Sequence, residues 1–224
     1  MSKPHITREA LTVAKAASTD PVRANLRGVH LRPDGATEAT DGHVMMRWTP
    51  SDAVDLADFP RLPGIVPDEL PGIPPAGVIL PLELATDLAK GIARASKANK
   101  GRLPILNGAV MAECNGALRF VCTDLDTTTQ HVGRPLEGPF PDTDRIAPKG
   151  APKLRIAFDA ALLKRVCEAA IAVSDTKQHA LVFDFRTDVG AAAFRVNGEA
   201  GQLSGLIMPL MLPEGERLPG KATK

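Results

Sequence analysis

The stretch ATDGHVMMRW, residues 39–48, decides how this chain is read. Asp41 and His43 stand two residues apart, the spacing that places two side chains on one face of a strand, as an acid–base pair would need. Between them, however, lies Gly42, and Asp-Gly is a hairpin signal: glycine accepts positive φ and the aspartate accepts local backbone hydrogen bonds. Nothing nearby is placed to orient a His–Asp couple, so the residues favour a structural turn over a small hydrolase site using Asp41 and His43.

The surrounding chain has 224 residues, enough for one large or two small domains. Its 44% apolar and 24% charged content is that of a globular protein, and with aromatics at 4% the core is expected to rest on Leu, Ile, Val and Ala. A net charge of +1 provides no global field toward nucleic acid or membrane, so any DNA contact requires charges sorted onto one surface. Three widely spaced cysteines, Cys114, Cys122 and Cys167, fit neither a disulfide framework nor a structural zinc site. The N-terminal MSKPHITREA lacks the apolar core of a signal peptide, and no apolar run reaches membrane-span length; the expectation is a soluble, cytoplasmic protein.

Along the chain, residues 6–18 read as a short Ala-rich helix. Strand-like text follows, with turns at Pro33-Asp34-Gly35 and Asp41-Gly42, and then a proline-rich connection over 50–77. Residues 80–98 give the clearest helix: Leu84, Leu88, Ile92 and Ala95 share one face, Lys90, Arg94 and Lys97 the opposite one, and Gly91 is a mild cost in its middle. Strands resume from Ile105, with a turn at Asn115-Gly116, through residues 117–133. A second Pro-rich connector, 139–153, precedes a strand and a third helix within 154–173, whose stripe is Leu163, Val166, Cys167 and Ala170; strands follow over 179–188 and 191–212. The order is helix then strands, three times, at a period of roughly 60–70 residues. Tight turns between strands and too few helices for a doubly wound sheet point to an α+β fold, with helices on one face of antiparallel sheets.

Catalytic and cofactor signatures are not found: no glycine-rich phosphate loop, no nucleophile elbow, no paired histidines at i, i+4. No metal or cofactor is expected. Asp124 and Asp126 in TDLDTTT read as a solvated face more readily than a cation site, and Cys122 as sheet packing more readily than a nucleophile.

Three stretches together carry a family resemblance. ATDGHVMM resembles the ATDGHRL motif of the bacterial DNA polymerase III sliding clamp, the beta subunit; GPFPDTDRIAPK resembles that family's G-x-FPDY-x-x-V-x-P connector, with Thr143 in place of Tyr; and SGLIMPLML resembles its C-terminal Y-V-V-MPMRL, with Leu210 for Met and Met211 for Arg. They occur in the family's order, and VRANLRGVHL, GVILPLELATDLAKGI and AFDAALLKRV resemble the segments around them, so the likeness extends over about 200 residues. It implies the DNA clamp fold, built from repeated helix-plus-antiparallel-strand half-domains. It implies a clamp domain over 1–150 like the family's middle domain, a half-domain over 151–212 like its C-terminal half, and a flexible tail over 213–224.

The resemblance also makes the ATDGH turn part of a hydrophobic pocket for partner peptides, such as those of a DNA polymerase, rather than a catalytic pair. The residues it carries over are Leu26; Thr40, Gly42, His43 and Met45; Pro141, Arg145 and Ile146; and Met208 and Pro209. Read without the resemblance, Met45, Ile146 and Met208 are ordinary core. Val44, where the family commonly has Arg, and Met211 put partner specificity in question. Duplex DNA, bound without regard to sequence, would face Lys90, Arg94 and Lys97, extended by Lys100 and Arg102, with Lys164 and Arg165 of the third helix, and Arg8 and Lys15 of the first, as further contributors. The family's ring has twelve half-domains, so chains with three would close it as a homo-oligomer of four; if residues 50–77 hide further strands, the chain is instead a compact two-domain clamp, a kind that closes rings as trimers. The competing reading is a clamp-like adaptor or decoy that binds the same peptides without encircling DNA.

Overall fold

The computed structural model describes residues 5–51, 59–100, 103–174, 177–187, 189–213 and 216. The chain divides into two compact units, Met1–Arg145 and Ile146–Lys224.

The first unit holds two four-stranded antiparallel sheets. One is formed by β2 (Gly28–Leu31), β3 (Thr37–Thr40), β4 (Met45–Trp48) and β5 (Val78–Pro81), in the order β4-β3-β2-β5. The other is formed by β1 (His5–Thr7), β6 (Gly108–Cys114), β7 (Leu118–Thr123) and β8 (Thr128–Gly133), in the order β1-β6-β7-β8. Each half contributes a strand, a helix and then three strands, and the strand before each helix pairs in the other half's sheet: β1 with β6, β5 with β2. The two halves are therefore interlocked and cannot separate without losing ladder hydrogen bonds.

This exchange explains one departure from the sequence reading. Residues 6–18 do not form a helix throughout: Ile6 extends the second sheet opposite Ala109, and only Ala10–Ala16 coil, as a 3-10 helix. Its buried Ala10, Val13 and Ala16 recur every third residue, the period of the tighter helix. The long helix, α1 (Leu82–Asn99), forms as expected, with Leu84, Leu88, Ile92 and Ala95 all buried. They share one core with Val29, Leu31 and Leu80 of the first sheet and Met111, Leu118 and Phe120 of the second. Gly91 lies where α1 meets β8: a Cβ there would stand 2.2 Å from the His131 ring, so the glycine that lowers helix propensity is required by packing. Val110, on the opposite pleat of β6, makes a smaller cluster with Phe59 and Leu106, onto which Leu62, Val66 and Leu70 of the long connection pack.

The second unit repeats one half. Asp159 caps α2 (Ala160–Val173), accepting from the amides of Ala161 and Leu162 at 2.7 and 3.2 Å. The helix is followed by β9 (Val182–Asp184), β10 (Ala192–Gly198) and β11 (Gly201–Ile207), antiparallel in the order β11-β10-β9. The stripe expected on α2 faces inward, with Ala170 buried and Leu163, Val166 and Cys167 half-buried. Buried core positions are mostly Leu, Ile, Val and Ala, as expected; in the second unit Phe158, Phe183, Phe185 and Phe194 add a cluster outside the fully buried core, at centroid distances of 5.9–6.4 Å. The match to the second half of the first unit is in register. Ile79 O accepts from Leu136 N at 2.9 Å, and Ala157 O from Leu210 N at 2.8 Å. In both, the acceptor lies three residues before the helix and the donor three beyond the last strand. Of the tail expected over 213–224, all but Pro213 and Glu216 lies outside the described residues.

Candidate functional site

The Asp41–His43 stretch is a side-chain-closed turn between β3 and β4. Asp41 Oδ1 accepts from the amides of His43 at 2.8 Å and Val44 at 2.9 Å, so it is engaged by backbone, not by the imidazole. Thr40 Oγ1 donates to Val44 O at 2.7 Å and accepts from Gly42 N at 3.0 Å, and Gly42 takes φ +92°. The amides of Val44, first, and His43 hold the Asp41 carboxyl below its usual range, which makes it a poor proton acceptor.

The same turn occurs once more, between β7 and β8. Asp124 Oδ1 accepts from Asp126 N and Thr127 N at 3.1 and 2.6 Å; Thr123 Oγ1 donates to Thr127 O at 3.2 Å and accepts from Leu125 N at 3.1 Å. Leu125 takes the positive φ, +81°, that Gly42 takes in the first copy. The twin has Asp126 where the first has His43, so the turn is built without a histidine. A Thr-Asp pair recurring 83 residues apart was the available sequence signal, and it also accounts for Asp124, considered above as a cation ligand. No cluster of three metal-ligating side chains occurs among the described residues. Burial pushes the Cys122 thiol up to about 12, which removes it as a nucleophile at neutral pH.

If the turn is structural, Asp41→Ala lowers the melting temperature while Asp41→Asn, which keeps the accepting oxygen, and His43→Ala do not; thermal melts of the three variants check this.

Three segments meet at the turn's end of the first unit. The Arg23 guanidinium donates to Asp41 O at 2.8 Å, and Asn25 Nδ2 donates to Pro139 O at 2.7 Å, so the short 3-10 helix Ala24–Leu26 ties the turn to the connector. The connector itself is held by Glu38, a carboxylate only 1% exposed in the middle of β3. Glu38 Oε1 lies 2.9 Å from His30 Nδ1; Oε2 accepts from Arg47 Nε at 3.0 Å and from Thr143 Oγ1 at 2.7 Å. Asp144 bridges outward to Arg32 and Arg47 at 3.0 and 2.7 Å, and Phe140 stacks on the His30 ring at 4.6 Å. Burial alone would raise the Glu38 carboxyl; the hydrogen bonds from Thr143, His30 and Arg47 outweigh it and hold it below its usual range. In the sequence Thr143 stands out only as a departure from Tyr, and nothing marks Glu38, His30, Arg32 and Arg47.

Of the ten residues singled out for a peptide pocket, Leu26, Thr40, Gly42, His43, Met45, Pro141 and Arg145 belong to the first unit and Ile146, Met208 and Pro209 to the second. Leu26 and Thr40 are buried and Met45 half-buried; Gly42, His43, Pro141 and Arg145 are exposed. Ile146 and Met208 are 67% and 60% exposed, which removes the reading of them as core. Val44 and Met46 add exposed apolar surface beside the turn.

The basic residues of α1 stand clear of the core: Lys90, Arg94 and Lys97 are exposed, and Lys100 closes the helix in a left-handed conformation at φ 52°. Lys90 pairs with Asp87 at 3.1 Å, a surface ion pair that leaves its charge accessible. Lys164 and Arg165 are exposed on α2, Lys164 lying 3.6 Å from Glu168; Arg102 lies outside the described residues. No helix among the described residues is long and apolar enough to cross a membrane.

Comparison of the fold with solved structures gives matches to bacterial sliding clamps. The DNA polymerase III beta chain of Streptococcus pneumoniae superposes with a TM-score of 0.60 at 20% identity, over 93% of this chain and 49% of that one. The Caulobacter crescentus beta sliding clamp gives 0.60 at 19%, over 93% and 50%. The Pseudomonas aeruginosa DNA polymerase III subunit beta gives 0.63 at 16%, over 93% and 51%. No protein-family model and no curated protein matches the sequence. The chain therefore has the DNA clamp fold expected from its motifs, and it spans about half the length of the clamps it matches.

Proposed function

We propose that this chain, having the sliding-clamp fold, is a non-catalytic processivity factor: several copies encircle duplex DNA without reading its sequence and hold a partner peptide, such as a DNA polymerase's, beside the Thr40–Val44 turn. The observation that carries the reading is the meeting of turn, 3-10 helix and connector through Arg23, Asn25 and Glu38 on a clamp-fold scaffold. These are the segments in which the sequence resembles the clamp family. An apolar peptide anchor would lie against Met45, with Leu26 beneath and Gly42, His43, Pro141 and Arg145 at the edge; Thr40, its hydroxyl used inside the turn, would shape the site without touching the ligand. By resemblance alone, Ile146, Met208 and Pro209 of the second unit are proposed as peptide contacts; Ile146 and Met208 are exposed. Such a factor would work in the cytoplasm and need no cofactor.

DNA would face Lys90, Arg94 and Lys97, with Lys100, Arg102, Lys164 and Arg165 reaching further phosphates. Replacing Lys90, Arg94 and Lys97 together by Gln is expected to weaken binding to duplex of any sequence. It is also expected to reduce the salt slope of the binding constant by about 2–3, close to one unit for each phosphate no longer neutralised. Fluorescence anisotropy of a labelled duplex over a salt series measures this; an unchanged slope rejects the DNA assignment. The adaptor reading draws its support from the net charge of +1 and the half-length chain. It predicts peptide binding that is abolished in Met45→Ala, with no duplex affinity in the parent chain.

A further inference from the structure

The second unit has half of what the first unit has. In the first unit, the strand before each helix crosses into the other half and covers the edge of its first strand: β5 lies on β2 from Gly28↔Pro81 to Leu31↔Val78, and β1 lies on β6. The second unit has the same parts in the same register, as the Ala157–Leu210 bond shows, but contains a single half. Its first strand, β9, pairs with β10 on one side and, among the described residues, with nothing on the other. Its pre-helix segment, 156–159, corresponds to β5 and, among the described residues, has only the isolated backbone bridge at Ala157. An edge with free amides and carbonyls is a template for another strand.

Burial points the same way. Val78, Ile79 and Leu80 of β5 are 9%, 4% and 0% exposed, whereas Ile156, Ala157 and Phe158 are only half-buried. β2 is buried throughout, while in β9 Val182 is 40% exposed. α1 buries seven residues and α2 buries only Ala170, leaving Leu162 and Ile171 at 41% and 56%. Phe185, just past β9, is 40% exposed. These apolar groups lie on the elements that the first unit covers with its other half.

We infer that the second unit is completed by the second unit of another copy of this chain, each pre-helix segment 156–159 adding antiparallel to the partner's β9 and the two α2 helices abutting across a two-fold axis. The first unit supplies the pattern: two halves of this design close on each other by reciprocal strand exchange, and two identical halves do so isologously. The occupant is a second copy because the edge and its complement lie on the same half-domain. This inference rests on the fold and not on DNA or peptide binding; a chain that pairs in this way and ignores DNA would retain it and end the processivity reading.

Light scattering of the full chain over a concentration series is expected to give an even number of copies. The double variant Leu162→Glu, Ile171→Glu is expected to halve the mass, with far-UV circular dichroism unchanged because both side chains are already exposed. In the unaltered chain, amide exchange at residues 156–158 and 182–184 is expected to slow as concentration rises through the transition. A monomer at every concentration, an assembly indifferent to the double variant, or exchange in these segments independent of concentration overturns the inference.

Discussion

Replacing Glu38 by Ala is expected to destabilise the first unit by about 3 kcal/mol in urea unfolding and to free the connector from the sheet. The carboxylate is 1% exposed and binds His30, Arg47 and Thr143 at once. Arg32 also lies 3.6 Å from Glu38, so removing the carboxylate leaves two guanidinium groups, a hydroxyl and an imidazole without their shared acceptor, and stripping one partner from a buried ionic cluster costs about 3–5 kcal/mol. The lower end applies because Arg32 and Arg47, 22% and 26% exposed, keep Asp144 as a second partner. Glu38→Gln keeps the volume and one acceptor, so its cost is smaller. The pH dependence has a definite sign. The folded Glu38 carboxyl is held below its usual value, so its stabilisation is fully present above the unfolded value and is lost as pH falls through the lower folded value. Glu38→Gln flattens that part of the stability profile, and a profile identical to the parent's contradicts the assignment.

Gly28→Ala is expected to cost about as much, for a different reason. A Cβ at Gly28 would stand 2.3 Å from Leu80 O and 2.9 Å from Ile79 Cγ2. The first clash is with backbone in the exchanged strand β5, which no rotamer change relieves, so β5 must move off β2 or the sheet must bend. Overpacking of this kind costs about 1–3 kcal/mol, and a backbone clash lies at the top of that range. Because β5 is where the two halves interlock, urea unfolding of Gly28→Ala is expected to show a lower midpoint, and adding Ile79→Ala, which relieves only the side-chain clash, does not restore it. Recovery in the double variant would show that the side chain alone sets the spacing.

What was legible in the sequence was what local chemistry dictates. The α1 face follows from helical periodicity, and the hairpins from Asp-Gly and Asn-Gly. The turn at Asp41 follows from the same logic, since its hydrogen bonds close within five residues. Long-range pairing was not legible. β1 and β5 are strands of three and four residues beside helices, so their text reads as helix start, and only their partners in the other half make them strands. Glu38 reads as the polar position of an alternating strand; its burial depends on Thr143, 105 residues away, and on Arg47 across the hairpin. The family motifs supplied the fold where periodicity could not, and the clamp superpositions agree with them.

Encirclement separates a clamp from an adaptor, and a linear duplex tests it without a loading machine. The chain is incubated with a duplex bearing biotin at both ends, so that rings can thread over the ends. The ends are then blocked with streptavidin, and salt is raised until phosphate contacts are screened. The account predicts that protein stays on the blocked duplex and is lost from the same duplex left open or cut at its centre. Equal loss from blocked and open duplex would contradict it, and would leave a clamp-fold protein that binds peptides without enclosing DNA.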